Sequence, residues 1–320
     1  MRRFSLLAAV VCLTVVSRPA TAQAGARTPT STSGLQRLLD AEIARYPGKA
    51  GIWVKHLTTG EEASVRGDEA FNSASVIKIP ILVLAFQMAD KGSLSLADRI
   101  TINAQDFRGG SGVFRYNDPG LQPTIRDVLL QMIITSDNTA TDLALGKVGG
   151  VDKLNGWLND NNYADALHLN MTTAELFAKY GALPAGTNRN EKTNSDKTYW
   201  LGSMTPHGTG RLLESIQRCS DGSEKATPIA AQQSCTSMTR MLRAQQSGDR
   251  RLPHFLNVPV GHKTGDFPPA VANDVGIVSA RSGPIVIAFF ANSIEGPYAE
   301  AEDRIGRIAQ LIVEYFDGAR

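Results

Sequence analysis

The sequence predicts an α+β fold, in which a five-stranded antiparallel sheet is flanked by the N- and C-terminal helices and carries an inserted all-helical domain. Strand patterns lie near the two ends of the chain, at residues 50–57 and 63–65 and again at 258–264, 272–281 and 284–292. The patterns between these ends are helical. Hairpins at both ends, with helices between them, favour one antiparallel sheet over an alternating βαβ arrangement.

The N-terminal segment predicts export. Two arginines precede an apolar run, residues 6–16, that is too short to span a bilayer. Small residues then form a signal-peptidase site, so we expect residues 1–22 to be a secretory signal peptide; a short buried helix is the alternative. Residues 23–33 are small and polar, which is typical of a flexible leader. We therefore expect a secreted or periplasmic protein without a membrane anchor after cleavage.

The helices follow in order from the 3.6-residue periodicity of the apolar positions. These patterns lie at residues 35–43, 75–91, 124–134, 138–148 and 151–160, and a last amphipathic helix starts at Pro297. The first and last of them flank the sheet. We expect a sheet domain of residues 34–72 plus 237–320 and a helical domain of residues 73–236.

Composition and charge exclude several classes of function. The chain has 320 residues, of which 42% are hydrophobic and 20% charged, as in ordinary globular proteins. Lys and Arg number 33 against 31 Asp and Glu, a balance too even for binding nucleic acid by phosphate neutralisation. None of the five histidines lies at ligand spacing from another. We expect no metal, no cofactor and a monomer whose partner is a small-molecule substrate.

Two of the three cysteines, Cys219 and Cys235, follow the signal peptide. An oxidising compartment favours their pairing. They lie beside helical patterns at 210–217 and 238–245, so a disulfide would link a helix hairpin across a polar loop. The alternative is two free thiols.

Ser75 and Lys78 are the first candidate catalytic pair. Residues at positions i and i+3 of a helix share a face, with about 5–6 Å between their Cβ atoms. A lysine amine can take the proton of a serine hydroxyl if burial lowers the pKa of the amine, and the residues around Lys78 are apolar. Backbone N–H groups at the helix N-terminus could also hold an oxyanion. The alternative is a helix N-cap followed by a surface lysine.

Two further motifs carry candidate chemistry. Ser136 could relay a proton to a leaving nitrogen, and the Asn138 amide could hold a substrate carbonyl; the alternative is a helix break with capping residues. At the end of the third predicted strand, Lys263 and Thr264 could hold a carboxylate, and Gly265 lets a ligand approach the backbone. The alternative for this motif is a solvated strand end.

Taken together, the three motifs resemble a known set. Ser-x-x-Lys, Ser-Asp-Asn and Lys-Thr-Gly, in this order, are similar to the motifs of class A β-lactamases and penicillin-binding proteins. The segments 71–80 and 124–141 around the first two motifs also resemble this family, and the resemblance covers residues 35–317. It implies a β-lactamase/transpeptidase-like fold.

The resemblance also implies roles for the candidate residues. Ser75 would attack the β-lactam or peptide carbonyl with Lys78 as proton acceptor, and Ser136 would pass the proton to the leaving nitrogen. The lysine and threonine of the third motif would hold the substrate carboxylate. The backbone N–H groups of Ser75 and Asp266 would form the oxyanion hole, which places the carboxylate of Asp266 beside that hole.

One segment departs from the family pattern. Class A β-lactamases hydrolyse the acyl-enzyme with a glutamate in a loop that reads Glu-x-Glu-Leu-Asn. Here the corresponding stretch is residues 170–177, and Thr173 stands in the place of the catalytic glutamate. Glu175 is a candidate for the deacylating group through a shifted loop, and Glu191 is a remoter one. The alternative for both is an exposed surface charge.

These observations lead to one main functional prediction and three alternatives. We expect a secreted serine hydrolase of the class A β-lactamase type, which opens the β-lactam ring through an acyl-enzyme on Ser75. The alternatives are a D-Ala-D-Ala peptidase or penicillin-binding protein, a non-catalytic sensor that traps β-lactam, and a glutaminase. The β-lactamase, the penicillin-binding protein and the sensor differ mainly in the lifetime of the acyl-enzyme.

Overall fold

Eight strands and ten α-helices make up the computed structural model, which describes Met1, residues 33–224 and residues 227–318. The strands are β1 (Lys49–His56), β2 (Glu62–Val65), β3 (Phe71–Asn72), β4 (Leu167–Leu169), β5 (Gly202–Met204), β6 (Val260–Phe267), β7 (Val271–Ala280) and β8 (Gly283–Asn292). The helices are α1 (Gly34–Ala44), α2 (Lys78–Asp90), α3 (Ile125–Ile134), α4 (Asn138–Lys147), α5 (Gly150–Asp160), α6 (Thr173–Gly181), α7 (Arg189–Ser195), α8 (Pro206–Asp221), α9 (Gln232–Arg243) and α10 (Tyr298–Gly318).

The five longest strands form one sheet in the order β2-β1-β8-β7-β6, and every neighbouring pair is antiparallel. The strands from the two ends of the chain therefore meet between β1 and β8. The predicted α+β fold with a five-stranded antiparallel sheet, flanked by the first and last helices, is confirmed.

Burial on both faces of the sheet explains the nearly continuous apolar run of β8. Ile287 and Phe289 pack in the hydrophobic cluster that contains residues of α1 and α10. Ala288 and Phe290 alternate with them and pack in the cluster that contains residues of α2 and α8. Each fully buried Ile or Phe side chain among these stabilises the fold by about 1.5–3 kcal/mol.

A second, three-stranded sheet of order β3-β5-β4 was not predicted from the sequence. Its strands are two or three residues long, which is too short to show a two-residue alternation. Helices α6 and α7 were also missed: α7 contains no apolar residue, and α6 is only nine residues long. The small sheet matters for function because β3 ends directly before the segment that carries Ser75.

The N-terminal predictions lie mainly outside the described residues. The signal peptide at 1–22, apart from Met1, and the leader at 23–33, apart from Ser33, fall there. Ser33 is the N-cap of α1, and its Oγ accepts from the Gln36 N–H at 3.1 Å. Within the described part of the chain, no helix is long and apolar enough to cross a membrane. The division of the remaining chain into a sheet domain and a helical domain stays a prediction.

A disulfide links α8 to α9 through Cys219 and Cys235, whose Cα atoms are 5.8 Å apart. Replacing both cysteines by alanine is expected to lower the free energy of unfolding by about 3 kcal/mol, because the bridge closes a loop of 16 residues in the unfolded chain. Urea unfolding measures the difference. A thiol reductant should destabilise the wild type and leave the double variant unchanged; equal midpoints for the two oxidised proteins would contradict the prediction.

Candidate active site

The turn before Ser75 is held in an unusual conformation. Ala74 has a φ of +41°, in the left-handed region that costs a residue with a side chain about 1–3 kcal/mol. Its N–H donates to Asn72 Oδ1 at 3.1 Å. From β7, the Asn273 side-chain amide donates to the carbonyls of Asn72 and Ser73 at 2.8 and 3.1 Å. These buried asparagines fix the position of the half-buried Ser75 and were not among the predicted site residues.

Gly265 brings strand β6 against this same turn. A Cβ atom at this position would lie 2.6 Å from the Ser73 carbonyl oxygen and 2.9 Å from the Val76 side chain. The sequence predicts that Gly265 admits a ligand, and the structure shows that the group approaching it is the turn that carries Ser75. Any side chain at position 265 would displace the turn or the strand.

Lys78 is fully buried at the start of α2, three residues after Ser75. Its Nζ donates to Ser136 O at 2.6 Å, to Ser136 Oγ at 3.1 Å and to Asn138 Oδ1 at 3.0 Å. Burial, and then the nearby charge of Lys263, hold the pKa of the Lys78 amine well below its ordinary value. No ion pair among the described residues includes Lys78, so its amine has the properties of a proton acceptor.

Ser136 joins Lys78 to Lys263. It has a φ of +55° in the short connection between α3 and α4, and its Oγ also accepts from Lys263 Nζ at 3.1 Å. Lys263 donates in addition to the Thr264 carbonyl at 2.9 Å, and burial lowers the pKa of its amine to about 8. The Thr264 hydroxyl lies 3.0 Å from Ser247 Oγ. The structure thus brings together the serine of the second motif and the lysines of the first and third.

Ser75 lines a small cavity with mostly uncharged walls. Asn138, Thr173 and Asp266 also line it. The remaining walls are mainly aromatic and aliphatic and include Phe177, Tyr180, Tyr199 and Phe267.

The Asn138 amide is already engaged, since its Nδ2 donates to the Gly109 carbonyl at 2.9 Å and its Oδ1 accepts from Lys78. Asp266 is the one charged residue among those that line this cavity in the described part of the chain.

The carboxylate of Asp266 pairs with Arg251, which sequence reasoning missed. Arg251 is buried, with 3% of its side chain exposed, and it donates to Asp266, to Glu302 and to the Asn273 carbonyl. Despite burial, the adjacent carboxylates raise its pKa. The Tyr298 hydroxyl lies 3.3 Å from Asp266 Oδ1. Arg251 lies in a polar run that gives no sequence signal of a buried position.

A second buried pair precedes Lys263. His262 Nδ1 lies 2.8 Å from Asp274 Oδ1, and Asp274 Oδ2 accepts from the Leu252 N–H at 3.1 Å. This pair stabilises the strand that carries Lys263. Among the described residues, no group of three or more His, Cys, Asp or Glu residues could hold a metal ion.

The candidate deacylating residues occupy structural positions. Glu175 Oε2 accepts from the Thr172 N–H and hydroxyl at 2.8 and 2.9 Å, which completes a capping box at the start of α6. Thr173 lines the Ser75 cavity, but its hydroxyl donates to Asp142, and Asp142 also accepts the Thr173 N–H. Glu191 lies in the first turn of α7. The structure therefore brings neither glutamate to the cavity.

Glu175→Gln is expected to change the lifetime of an acyl-enzyme less than twofold, because glutamine can retain the capping box and no proton transfer is lost. Intact-mass spectrometry of the variant after β-lactam treatment measures that lifetime. Thr172→Ala serves as the structural control and should cost about 1 kcal/mol of stability through loss of the cap. A lifetime at least ten times longer in Glu175→Gln would assign deacylation to this glutamate.

A serine followed by a buried lysine on this fold defines a class of protein, the serine hydrolases that use a lysine in place of histidine. The model of the beta-lactamase enzyme family matches residues 33–316, and the chain belongs to this family. β-Lactamase VEB-1 of Pseudomonas aeruginosa is 25% identical over 302 residues, which cover 91% of this chain and 92% of VEB-1. This chain is a serine hydrolase of the β-lactamase type.

Two solved structures show the same fold. A β-lactamase from Sphaerobacter thermophilus superimposes with a TM-score of 0.71 at 28% identity, covering 88% of this chain and 96% of that one. PBP-A superimposes with a TM-score of 0.72 at 25% identity, covering 89% and 96%. The predicted family resemblance is confirmed.

Proposed function

We propose that this serine hydrolase opens β-lactams through an acyl-enzyme on Ser75 and releases the acyl group slowly, in the manner of a penicillin-binding protein. Formation of the acyl-enzyme is supported above all by the buried Lys78 amine. This amine has no carboxylate partner among the described residues, and it contacts Ser136 beside the Ser75 cavity. Peptides that end in D-Ala-D-Ala are the second substrate class of the same site.

Acylation begins with transfer of the Ser75 hydroxyl proton to the neutral Lys78 amine, while Ser75 Oγ forms a bond to the substrate carbonyl carbon. The backbone N–H groups of Ser75 and Asp266 stabilise the oxyanion. When the carbon–nitrogen bond breaks, Ser136 delivers a proton to the leaving nitrogen and takes one from Lys78, whose Nζ is 3.1 Å away. Lys78 and Ser136 then return to their original protonation, the proton of the Ser75 hydroxyl has passed to the leaving nitrogen, and the acyl ester remains on Ser75.

Slow deacylation is supported by what surrounds the ester. In the described part of the chain no glutamate lines the cavity, and the hydroxyl of Thr173, at the place of the family's catalytic glutamate, is bonded to Asp142. Among the described residues, the one carboxylate that lines the cavity, that of Asp266, is already engaged by the guanidinium of Arg251. Without a general base the activation free energy of hydrolysis is higher, and each additional 1.36 kcal/mol slows hydrolysis tenfold.

We also propose that the protein acts outside the cytoplasm as a monomer. The two N-terminal arginines, the apolar run and the small residues after it support secretion to the periplasm or beyond. The bridge between Cys219 and Cys235 agrees with an oxidising compartment.

The acylation rate is expected to fall as the pH rises through about 8, where Lys263 loses its proton. Protonated Lys263 donates to Ser136 Oγ and attracts an anionic substrate, and both contributions weaken once its amine is neutral. On the acid side the rate should rise with pH as Lys78 becomes neutral, and its lowered pKa places that rise below the ordinary range of lysine. Second-order acylation rates between pH 5 and 10 test the profile; a rate that stays level to pH 10 would contradict it.

A chase experiment tests the proposed function. The protein from residue 23 onward is acylated with benzylpenicillin, the free drug is removed, and the adduct is followed by intact mass and peptide mapping. We expect an adduct on Ser75 with a half-life of about a minute or longer, which corresponds to a barrier of about 20 kcal/mol or more. Loss of the adduct within a second would show efficient deacylation and overturn the slow-release proposal.

A further inference from the structure

The Ser-Asp-Asn motif is covered by a glycine-rich loop, residues 109–112, which reads Gly-Gly-Ser-Gly. The Ser111 hydroxyl donates to the Ser136 carbonyl at 2.7 Å, and the Ser111 carbonyl accepts from the Asn138 N–H at 3.1 Å. The Gly109 carbonyl accepts from the Asn138 side-chain amide at 2.9 Å. The loop therefore contacts both residues of the motif that would act on the substrate.

The aspartate of the motif, Asp137, fixes the position of this loop. Its side chain is buried, and its Oδ2 accepts from the N–H groups of Val113 and Phe114 at 2.6 and 2.8 Å. Gly112 has a φ of +112°, and a Cβ atom at this position would overlap Asp137. Only glycine lets the two segments come so close. The loop is thus held beside Ser111 by contacts that do not involve the Ser111 hydroxyl.

Ser136 depends on its neighbours because its backbone is strained. Its φ of +55° lies in the left-handed region, which costs about 1–3 kcal/mol and persists only where the surroundings fix it. Two donors hold its carbonyl oxygen, the Ser111 hydroxyl and Lys78 Nζ, which is 2.6 Å away. Holding this carbonyl also holds Ser136 Oγ, which lies 3.1 Å from both Lys78 Nζ and Lys263 Nζ.

The donor that Lys78 supplies is not constant during the proposed reaction. A neutral amine has two N–H groups, whereas Lys78 Nζ faces three oxygens: Ser136 O, Ser136 Oγ and Asn138 Oδ1. When Lys78 takes the Ser75 proton and gives one to Ser136, its hydrogens are redistributed among these oxygens. The Ser111 hydroxyl takes no part in these transfers, so it can donate to the Ser136 carbonyl at every stage.

We propose that Ser111 is a positioning residue, which holds Ser136 Oγ where it delivers a proton to the leaving nitrogen of the substrate. The inference rests on the proposed acylation of Ser75. It predicts that Ser111 matters for acyl donors whose leaving atom needs a proton, such as the nitrogen of a β-lactam or a peptide. An aryl thioester loses a thiolate that needs no proton, so its reaction with Ser75 should not depend on Ser111.

The test compares benzylpenicillin with the S-phenyl thioester of N-benzoylglycine as acyl donors. Second-order rates of Ser75 acylation by each donor are measured on the wild type and on Ser111→Ala by mass spectrometry of quenched samples. We expect the rate with benzylpenicillin to fall about tenfold, a part of the roughly 10²–10⁴-fold that a positioned proton donor contributes. The rate with the thioester should change less than twofold. A general loss of active-site structure would instead slow both donors alike.

A matched pair of variants separates the hydroxyl from the shape of the side chain. Ser111 is exposed, so a larger side chain has room at this position. Ser111→Thr keeps the hydroxyl and should keep the wild-type ratio of the two rates. Ser111→Val has the same shape without the hydroxyl, should behave like Ser111→Ala, and replaces it if the alanine protein does not fold.

Ser237→Ala is the control for removal of a serine hydroxyl elsewhere. Ser237 lies on α9, and its hydroxyl donates to the Gln233 carbonyl at 2.9 Å. This variant loses the same kind of bond, from a serine hydroxyl to a backbone carbonyl, and should keep both wild-type rates.

The outcomes separate this inference from the proposed function. Acylation of Ser75 with an unchanged ratio of the two rates in Ser111→Ala and Ser111→Val would overturn the positioning role and leave the acyl-enzyme intact. A Ser111→Thr protein with the same altered ratio as Ser111→Val would also overturn it. Absence of any Ser75 adduct on the wild type with either donor would overturn the proposed function and this inference with it.

Discussion

Ser75→Ala is expected to abolish covalent labelling by penicillin, with the acylation rate reduced by at least about 10⁴-fold. The acyl group has no other acceptor in the proposed mechanism, since Ser136 Oγ already accepts from both buried lysines. The fold should persist, because the turn before Ser75 is held by the bonds of Asn72 and Asn273 and not by the Ser75 hydroxyl. Intact-mass spectrometry after incubation with benzylpenicillin measures the remaining label.

Ser93→Ala is the control for this experiment. Ser93 lies on the surface just after α2, and its hydroxyl donates to the Met88 carbonyl at 3.0 Å. This variant should be labelled like the wild type. Labelling of Ser75→Ala at another residue would exclude Ser75 as the nucleophile.

Lys78→Met is expected to slow acylation by about 10³-fold, within the range that general-base catalysis contributes. Methionine fills a similar volume but cannot take the Ser75 proton or return one to Ser136. It also removes the Lys78 donor from Asn138 Oδ1 and from Ser136 O, which keeps the Ser111 hydroxyl as a donor, so some loss of stability should accompany the loss of rate. Stopped-flow acylation and thermal unfolding separate the two effects.

Lys147→Met provides the comparison for Lys78→Met. Lys147 is exposed in the last turn of α4, and its replacement removes a lysine without reaching the cavity. It should acylate at the wild-type rate. A folded Lys78→Met protein that acylates normally would remove Lys78 from the role of base.

Local patterns were sufficient to predict the main sheet and most of the helices. The apolar run that predicts a strand at 284–292 corresponds to β8, because a strand buried on both faces needs apolar residues at nearly every position. The helix predicted at 75–91 is present, although its first turn, Ala74–Ile77, is a 3₁₀ helix. Such a change of hydrogen-bond pattern depends on the packing of the turn and leaves no trace in periodicity.

The parts that could not be predicted depend on contacts between distant segments. The bonds from Asn273 to Asn72 and Ser73 join residues about 200 positions apart, and no local pattern marks them. Arg251 lies in a run of charged residues that reads as a solvated loop, and only the folded chain brings Asp266 and Glu302 around it. Gly265 was predicted to let a ligand approach the backbone, and only the structure shows that its neighbour is the nucleophile turn.

The proposed mechanism depends most directly on an acyl-enzyme that forms on Ser75 and persists. Stopped-flow mixing of the protein with a chromogenic cephalosporin, combined with mass spectrometry of the quenched samples, tests both points together. We predict a burst of about one equivalent of opened ring per protein, followed by slow turnover, with the adduct on Ser75. Rapid turnover without a burst or an accumulating adduct would contradict slow deacylation, and a stable adduct on any other residue would contradict the assignment of the nucleophile.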